Sequence, residues 1–213
     1  MRPRPSQRDA NVRWYAANRE REIERVTRRQ AASTAFLREL RDRPCADCGR
    51  RFHPVQMAFD HRDPAQKRFT LAKALLKNRA DLLVEAAKCD VVCSNCHSVR
   101  TRKQHRERLA RRGPSQAKGA RIDAQRDRWR YYADLLDQLR DVPCVDCGRR
   151  FPPCAMEFDH RDPSTKVAAV TRMISNAGWK RISAEADKCD IVCSNCHRLR
   201  TFVRRSGSLP ERE

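Results

Sequence analysis

The sequence has no long apolar run, and this excludes a membrane span. A helix that crosses a bilayer needs about 20 consecutive apolar residues, and no stretch of the 213 residues comes near that length. The N-terminal segment MRPRPSQRD also lacks the apolar core of a secretory signal peptide. We therefore expect an intracellular, cytoplasmic protein that does not associate with membranes.

Aromatic residues are scarce as well. They make up 6% of the chain, and the mean hydropathy is -0.86. A chain of this length has room for two small domains, but it contains little apolar material for two cores of ordinary size. We expect metal ions to replace part of each core.

Cysteine, in contrast, is abundant. The chain has 11 cysteines, and most of them occur as CxxC pairs. In a secreted protein they would suggest disulfides, but in a reducing compartment paired cysteines indicate metal ligands. We therefore favour zinc over disulfides.

Positive charge dominates the sequence. Lysine and arginine number 47 against 27 acidic residues, which gives a formal net charge of +20 and a pI near 10.3. Most of the basic residues are arginines, whose planar forks of donors fit phosphate oxygens. The natural partner is an anionic polymer, bound with a steep salt dependence. Charge alone does not separate DNA from RNA, or either from an anionic membrane.

Three motifs occur twice in the same order. CADCG at 45–49, FDHRDP at 59–64 and CDVVCSNCHSVRT at 89–101 return as CVDCG, FDHRDP and CDIVCSNCHRLRT about one hundred residues later. The Gly, Pro and Ser content of RRGPSQAKG at 111–119 indicates a linker between two tandem copies. The predicted segments are a basic helical segment at 1–43, domain 1 at 44–112, a linker and helix at 113–142, domain 2 at 143–205 and a flexible tail at 206–213.

The predicted elements place these motifs on strands and helices. We predict mostly helix over 8–42, and before the second copy an amphipathic helix with Trp129, Tyr132, Leu136 and Leu139 on one face. Within each copy we predict a short strand through Phe59 or Phe158, a helix at 79–88 or 179–188, a second strand at CDVVC or CDIVC, and a basic helix. This order predicts an α+β fold.

Two CxxC pairs in each copy can form one four-thiolate zinc site. The 44 or so residues between the pairs are acceptable because the cost of closing a loop grows only with the logarithm of its length. Gly49 and Gly148 can take the positive φ that turns backbone N–H groups toward thiolate sulfur. The predicted ligands are Cys45, Cys48, Cys93 and Cys96 in the first copy and Cys144, Cys147, Cys193 and Cys196 in the second.

Three cysteines remain outside these sites. Along an extended strand Cys89 lies roughly 13 Å from Cys93, too far to share one small tetrahedral ion, and Cys189 is placed in the same way. Cys154 has Val55 at the matching position of the first copy. We interpret Cys89 and Cys189 as small buried apolar residues and assign no role to Cys154.

Each copy also contains an adjacent Asp-His pair and a histidine that directly follows the last cysteine. Because His97 directly follows the predicted zinc ligand Cys96, the zinc site anchors the backbone that orients His97. These motifs, over roughly 44–101 and 143–201, resemble the HNH endonuclease family, in the zinc-stapled ββα-metal form of phage and mobile-element nucleases. The resemblance implies an α+β protein of two tandem ββα-metal (HNH) domains, each with a four-cysteine zinc site and each preceded by an amphipathic helix.

The resemblance also implies a mechanism. A histidine base activates water, and a divalent metal neutralises the scissile phosphate and stabilises the leaving 3′ oxygen. Magnesium, manganese, nickel or zinc would suit an Asp plus His ligand set, and two structural zinc ions complete the expected cofactors. The implied bases are His61 and His160, and the implied catalytic metal ligands are Asp60, His97, Asp159 and His197.

The chain departs from the family at one position. The family's middle Asn normally precedes the second CxxC by five residues, where this chain has Lys88 and Lys188. Asn95 and Asn195, inside the second CxxC, are the candidates to orient the base. Candidate phosphate contacts are Lys67, Lys166, Arg100 and Arg200.

Several residues have a simpler structural interpretation. His53 and His105 do not recur in the other copy, so we expect structural or surface roles for them. Asp63-Pro64 and Asp162-Pro163 are expected to shape a turn.

The expected function is a metal-dependent DNA endonuclease, and the expected partner is double-stranded DNA. The chain would be a monomeric pseudo-dimer in which each centre could cut one strand. The alternative is a non-catalytic zinc module that binds DNA or RNA, with the Asp-His pair kept for structure; an RNase of similar fold is a third possibility.

Overall fold

The computed structural model describes residues 7–112 and 120–208. The core of the predicted linker at 113–119, residues 1–6 of the N-terminal segment and residues 209–213 of the predicted tail lie outside the described residues. The chain forms two compact units, Met1–Asp42 with Phe59–Asp90, and Arg43–Ala58 with Val91–Glu213. The first copy of the repeat is divided between these units, whereas the second copy belongs entirely to the second unit.

Helices dominate, and the strands are short. In chain order the elements are α1 (Gln7–Arg41), β1 (Met57–His61), α2 (Arg79–Ala86), β2 (Cys89–Cys93), α3 (Ser94–Arg112), α4 (Ala120–Leu139), β3 (Met156–His160), α5 (Val170–Met173), α6 (Trp179–Ala186), β4 (Cys189–Cys193) and α7 (Ser194–Ser206). The predicted α+β class and the predicted order of strand, helix, strand and helix are therefore confirmed.

The first unit is built on the C-terminal turns of α1. Phe36 and Leu37 are buried there with Leu82 of α2. Helix α2 begins at a capped end, since the Asn78 side chain accepts a hydrogen bond of 2.7 Å from the backbone N–H of Asp81. Packing of α1 against α2 therefore gives this unit an apolar core, although the mean hydropathy of the chain is low.

The strands form two sheets of two strands each, β1 with β2 and β3 with β4. Strands β3 and β4 are antiparallel, in a register that runs from Met156 opposite Cys193 to His160 opposite Cys189. Helix α7 follows β4 without a loop, so its first turn lies against the sheet. Asp159, near the end of β3, therefore lies beside α7, the helix whose first turn contains Cys196.

Helix α4 covers the second copy with a narrower apolar face than its spacing predicts. Leu136 is fully buried against α5 and α6, and Tyr132 packs on the same cluster. Trp129 and Leu139, predicted on that face, are 38% and 42% exposed. The helix contacts the core through Tyr132 and Leu136, so Trp129 and Leu139, at the two ends of the predicted stripe, are left more exposed.

Within the second unit, α3 and α7 meet through reciprocal hydrogen bonds. The backbone N–H of Asn95 donates to Asn195 Oδ1 at 3.3 Å, and the N–H of Asn195 donates to Asn95 Oδ1 at 3.0 Å. The hydroxyls of Ser98 and Ser194 lie 3.3 Å apart on the same seam. Contacts in which two copies use the same residues are typical of an isologous dimer interface; here one chain supplies both sides.

Candidate functional site

Two groups of four cysteines could each hold a structural metal ion such as zinc. In each group the four Sγ atoms lie within 4.8 Å of one another, as tetrahedral thiolate ligands must. The predicted ligand sets are therefore brought together. Their members are Cys45, Cys48, Cys93 and Cys96, and Cys144, Cys147, Cys193 and Cys196.

Backbone geometry prepares these thiols for a cation. Gly49 and Gly148 adopt φ of 69° and 68°, as predicted, and each closes a tight turn by donating its N–H to the first cysteine's carbonyl. The N–H of Cys93 donates to Cys45 Sγ at 3.2 Å. Each CxxCG turn, at 45–49 and 144–148, is called a zinc knuckle below. Burial opposes ionisation of Cys45, but this bond and others from the backbone of the first knuckle lower the pKa of Cys45 overall.

The fourth thiol of each group shows that a positive charge is needed to ionise all four thiols. Burial and the neighbouring Cys93 and Cys45 sulfurs raise the pKa of Cys96 far above its usual value. Four thiolates this close repel one another, so a dication is needed to ionise them together. The chemistry of the donor set thus fits a resident zinc ion.

The cysteines outside the two groups behave as expected. Cys89 and Cys189 are each 8% exposed, and burial, with the charge of a nearby glutamate, raises the pKa of each thiol to about 11. Both thiols donate to the carbonyl of that glutamate. Cys154 belongs to neither four-cysteine group.

In the first unit, the predicted base His61 is held by a buried glutamate. His61 Nε2 lies 2.9 Å from Glu85 Oε1, and Lys88 Nζ lies 2.8 Å from Glu85 Oε2. Burial disfavours the carboxylate, yet the bonds from Lys88, His61 and two backbone N–H groups lower the pKa of Glu85 to about 2. Since an ionised carboxylate only accepts hydrogen bonds, Nε2 carries a proton, and the lone pair of the neutral ring is then on Nδ1.

The second copy repeats this arrangement. His160 Nε2 lies 2.8 Å from Glu185 Oε1, and Lys188 Nζ lies 2.7 Å from Glu185 Oε2. Lys188, like Lys88 in the first copy, is therefore one partner of the glutamate that contacts the histidine. Sequence reasoning missed both glutamates, although each recurs eight residues before a zinc-ligand cysteine.

Asn95 and Asn195 do not contact these histidines through any hydrogen bond that we observe. Their side-chain oxygens bond to each other's backbone on the α3–α7 seam, and the group that contacts His160 is Glu185. The side chains that contact these histidines are therefore glutamates and not the asparagines.

The other predicted contacts lie on turns and at the zinc knuckles. Asp63 and Asp162 cap short turns as predicted, accepting backbone N–H groups at 2.9 and 2.8 Å. Lys67 and Lys166 follow these turns and are exposed. Arg100 Nε lies 2.8 Å from Asp47 Oδ2 in the first knuckle.

The histidines with structural interpretations also lie where those interpretations place them. His53 is 8% exposed, its Nδ1 accepts the N–H of Val55, and its ring lies 6.3 Å from that of Phe202. His105 is exposed on α3.

The predicted metal ligands of the second copy meet at the start of α7. His197 Nε2 is 3.4 Å from Asp159 Oδ1, and His197 Nδ1 is 2.8 Å from Glu157 Oε2. Contacts with Asp159 and Glu157 raise the pKa of His197 to about 9, against the opposing effect of burial. The structure therefore brings Asp159 and His197 together.

Two arginines of α7 also hold Asp159. Arg204 Nη1 and Nη2 each lie 2.8 Å from one of the Asp159 oxygens, and Arg200 Nη1 lies 2.9 Å from Oδ2. Arg200 also bridges to Asp190 at 2.8 Å, which relieves the repulsion between two aspartates paired across the sheet. Burial opposes ionisation, but His197, Arg204 and Arg200 hold the pKa of Asp159 well below its usual range.

As arranged, these residues do not fit a divalent cation. A carboxylate has about four lone-pair positions, and Asp159 meets four donor atoms, from Arg204, Arg200 and His197. In the first copy, Asp60 lies in β1 and His97 in the first turn of α3. Asp60 belongs to the first compact unit and His97 to the second.

Comparison with protein-family models, with curated proteins and with solved structures finds no significant match. Among the helices of the described residues, none is both long and apolar enough to span a bilayer. The functional argument therefore starts from the chemistry of the site.

Proposed function

We propose that this chain is a metal-dependent HNH-type endonuclease that hydrolyses phosphodiester bonds of DNA. The observation that carries the proposal is the buried Glu–His pair beside each Asp-His motif. In both copies the glutamate contacts Nε2 of the histidine at the end of a strand, at 2.9 Å for His61 and 2.8 Å for His160. This is how a neutral histidine is fixed in one tautomer for use as a base.

The residues of the first copy would act as follows. His61 Nδ1 takes a proton from the attacking water, and Glu85 stabilises the imidazolium that forms. Lys88, 2.8 Å from Glu85, keeps the carboxylate ionised, so the proton remains on the histidine. A positioned base of this kind contributes about 10²–10⁴-fold to a rate.

By the resemblance to HNH nucleases, Asp60 and His97 would be the residues that hold the divalent cation. When bound, such a cation neutralises the scissile phosphate and stabilises the leaving 3′ oxygen. The exposed basic side chains of α3, including Lys103 and Arg106, would grip the phosphate backbone without reading bases. These contacts explain affinity for a polyanion but favour no particular sequence.

The test uses supercoiled plasmid and zinc-loaded protein with EDTA, magnesium or manganese. We expect cleavage that requires the divalent metal and falls about 10²–10⁴-fold in the double variant His61→Ala/His160→Ala. His105→Ala is the matched control, because His105 is exposed and does not recur, and it should cut at the parent rate. An RNA substrate in parallel separates a DNase from an RNase.

A second function has an observation of its own. The His61 side chain is 9% exposed and that of His160 is 5% exposed, as expected if the Glu–His pairs serve only stability in a non-catalytic zinc module that binds nucleic acid. DNA that is retarded in a gel yet stays intact with every metal, together with intact RNA, would favour this function over the nuclease.

A further inference from the structure

A cavity that the proposed function does not use is lined by the first zinc knuckle, by α3 and by the segment that leads into β3. Its volume is about 290 Å³, close to the lower limit of the range of about 300–1,000 Å³ that ligand pockets span. All of its lining residues belong to the second compact unit. Most of the lining is apolar, and its apolar side chains include those of Phe52, Val99, Phe151, Pro152 and Ala155.

The cavity is open because the two copies differ in the size of two side chains. Pro152 and Ala155 occupy the positions that His53 and Gln56 occupy in the first copy. The Gln56 side chain reaches α7, where it donates a hydrogen bond of 3.3 Å to a backbone carbonyl, and the His53 ring lies 6.3 Å from that of Phe202. The smaller residues of the second copy leave the corresponding space against α3 unfilled.

Basic side chains also line the cavity. Arg50 and Arg149 occupy equivalent positions directly after the two zinc knuckles, and the carbonyl of each accepts the N–H of the first cysteine of its knuckle at 2.9 Å. These bonds fix the backbone from which the two arginine side chains extend. Lys103 of α3 is exposed and lines the cavity as well. Asp47, another lining residue, is paired with Arg100, whose Nε lies 2.8 Å from Oδ2, so the basic side chains of the lining outnumber its carboxylates.

An apolar cavity with basic side chains around it fits a nucleobase together with its phosphate. Phe52 and Phe151 are half-buried, and Phe151 packs on the apolar cluster at the second zinc group, which holds its ring in place. Aromatic rings bind any base by stacking, and basic side chains bind the phosphate beside it. A purely apolar ligand would gain nothing from the basic residues. A base inside a continuous duplex is paired and stacked, so only an unpaired or flipped base could enter.

We propose that this cavity binds one unpaired base of a nucleic-acid strand, with Arg50, Arg149 and Lys103 at its phosphate. The inference deepens the proposed function, because it takes nucleic acid as the partner, but it requires neither cleavage nor a catalytic metal. The chain would then prefer bulged or single-stranded positions over a continuous duplex.

The first experiment measures binding by fluorescence anisotropy, with zinc-loaded, full-length protein and no added divalent metal. The labelled DNA duplexes are fully paired, carry one extra adenine as a bulge, or carry an abasic residue in place of that adenine. The abasic bulge keeps the phosphate and lacks only the base. We expect the adenine bulge to bind about 5- to 150-fold more tightly than the abasic bulge, the factor that one stacked base contributes. Equal affinity for the two bulges would overturn the inference.

Two variants change the cavity itself. Ala155→Gln introduces the residue that the first copy has at this position and should fill the cavity, so it should bind both bulges equally well. Phe52→Leu/Phe151→Leu keeps two apolar side chains but removes both rings, and it should also lose the preference for the base. Phe202→Leu, at a half-buried phenylalanine outside the cavity lining, is the matched control and should keep that preference.

Zinc content shows whether a variant has folded. Two zinc ions per chain by mass spectrometry are required of each variant; if one of them loses zinc the other decides, and if both do the parent's two bulges decide. A zinc-loaded variant of the cavity that keeps the parent's preference would show that the base binds elsewhere, and the inference would fail.

Two further measurements separate the sources of the base and the two proposals. A preference for the base in the same bulges made of RNA supports the site equally, whereas a free adenine mononucleotide that competes as well as the bulged strand would refute a strand site. A chain that prefers the base but cuts neither DNA nor RNA refutes the nuclease and keeps this site. A chain that cuts plasmid but binds both bulges alike keeps the nuclease and refutes the site.

Discussion

At the scale of single residues, Glu185 shows how a buried charge is kept ionised. The side chain is 3% exposed and meets four donors. They are His160 Nε2, Lys188 Nζ and the backbone N–H groups of Val167 and Ala168. Burial alone would raise the pKa of Glu185, but these bonds lower it to about 2 from the usual 4.5. The carboxylate therefore stabilises the fold fully above about pH 4.5, and this stabilisation is lost as the pH falls toward 2.

Replacing Glu185 by Gln should reveal that contribution. The amide keeps an acceptor for His160 but loses the charge, so we expect unfolding in urea at pH 7 to cost about 1–3 kcal/mol less than in the parent. The difference should stay constant down to about pH 5 and shrink below pH 4.5, where the carboxylate begins to take up a proton in the unfolded parent but not yet in the folded one. Zinc release at low pH affects both proteins and cancels in the comparison. Asp187→Asn, at an exposed position, is the control, and a pH-independent difference for Glu185→Gln would contradict the account.

At the scale of elements, each zinc knuckle is hydrogen-bonded to the second strand of its sheet. In the first copy the N–H of Ala46 donates to the carbonyl of Val91 at 2.9 Å, and Cys93 donates to the Cys45 sulfur. The apolar cluster around the second site is small and includes ligand cysteines. Structural zinc sites in finger peptides are worth about 10–16 kcal/mol, so a metal ion held by these cysteines would contribute much of the stability.

Two cysteine variants of the first copy separate ligation from packing. Cys48→Ser removes an exposed ligand, and we expect one zinc ion per chain by mass spectrometry and weaker near-ultraviolet circular dichroism. Cys89→Ser alters a buried thiol outside the four-cysteine group, so it should keep two zinc ions. If both variants retained two ions, or if Cys89→Ser lost one, the ligand assignment would be wrong.

The helix seam offers a second test at this scale. Asn95 and Asn195 are 5% and 3% exposed, and each accepts the other's backbone N–H. Asn95→Ala and Asn195→Ala should each cost about 1–3 kcal/mol in denaturant unfolding because a buried donor is left unsatisfied. The double variant should depart from additivity by about 0.5–3 kcal/mol. Strict additivity would mean that the two asparagines act independently.

The elements themselves could be predicted where residue type specifies chemistry. Paired cysteines and a repeated Asp-His pair can be recognised in the sequence alone. Glu185 could not be identified in this way, because glutamate on a short helix usually faces solvent and only its burial shows otherwise. The Arg204 pair joins residues 45 positions apart, and no local pattern reports that distance. The one signal in the sequence that could have identified this glutamate is its recurrence at the same position of the first copy, as Glu85.

At the scale of the whole molecule, the charge of +20 is spread over helices that carry few apolar residues. Helix α3 bears exposed arginines along its length beyond the zinc-ligand turn. Counterion release makes the binding of such a surface to DNA fall steeply with salt, with a slope of about -0.9 per phosphate neutralised on a duplex and about -0.7 on a single strand. The slope therefore reports how many phosphates the chain contacts.

We predict that α3 supplies several of those contacts. In the cleavage-deficient His61→Ala/His160→Ala background, changing Arg106, Arg108 and Arg111 to Gln should reduce the slope of log affinity against log salt by up to about 2.7 on duplex DNA. Changing Arg21, Arg28 and Arg29 of α1, which are exposed as well, removes the same charge and is the matched control. Fluorescence anisotropy at several salt concentrations measures both. Because a phosphate contact changes the slope whereas a distant charge mainly shifts the affinity, equal slope changes in the two variants would show that α3 has no special place in the interface.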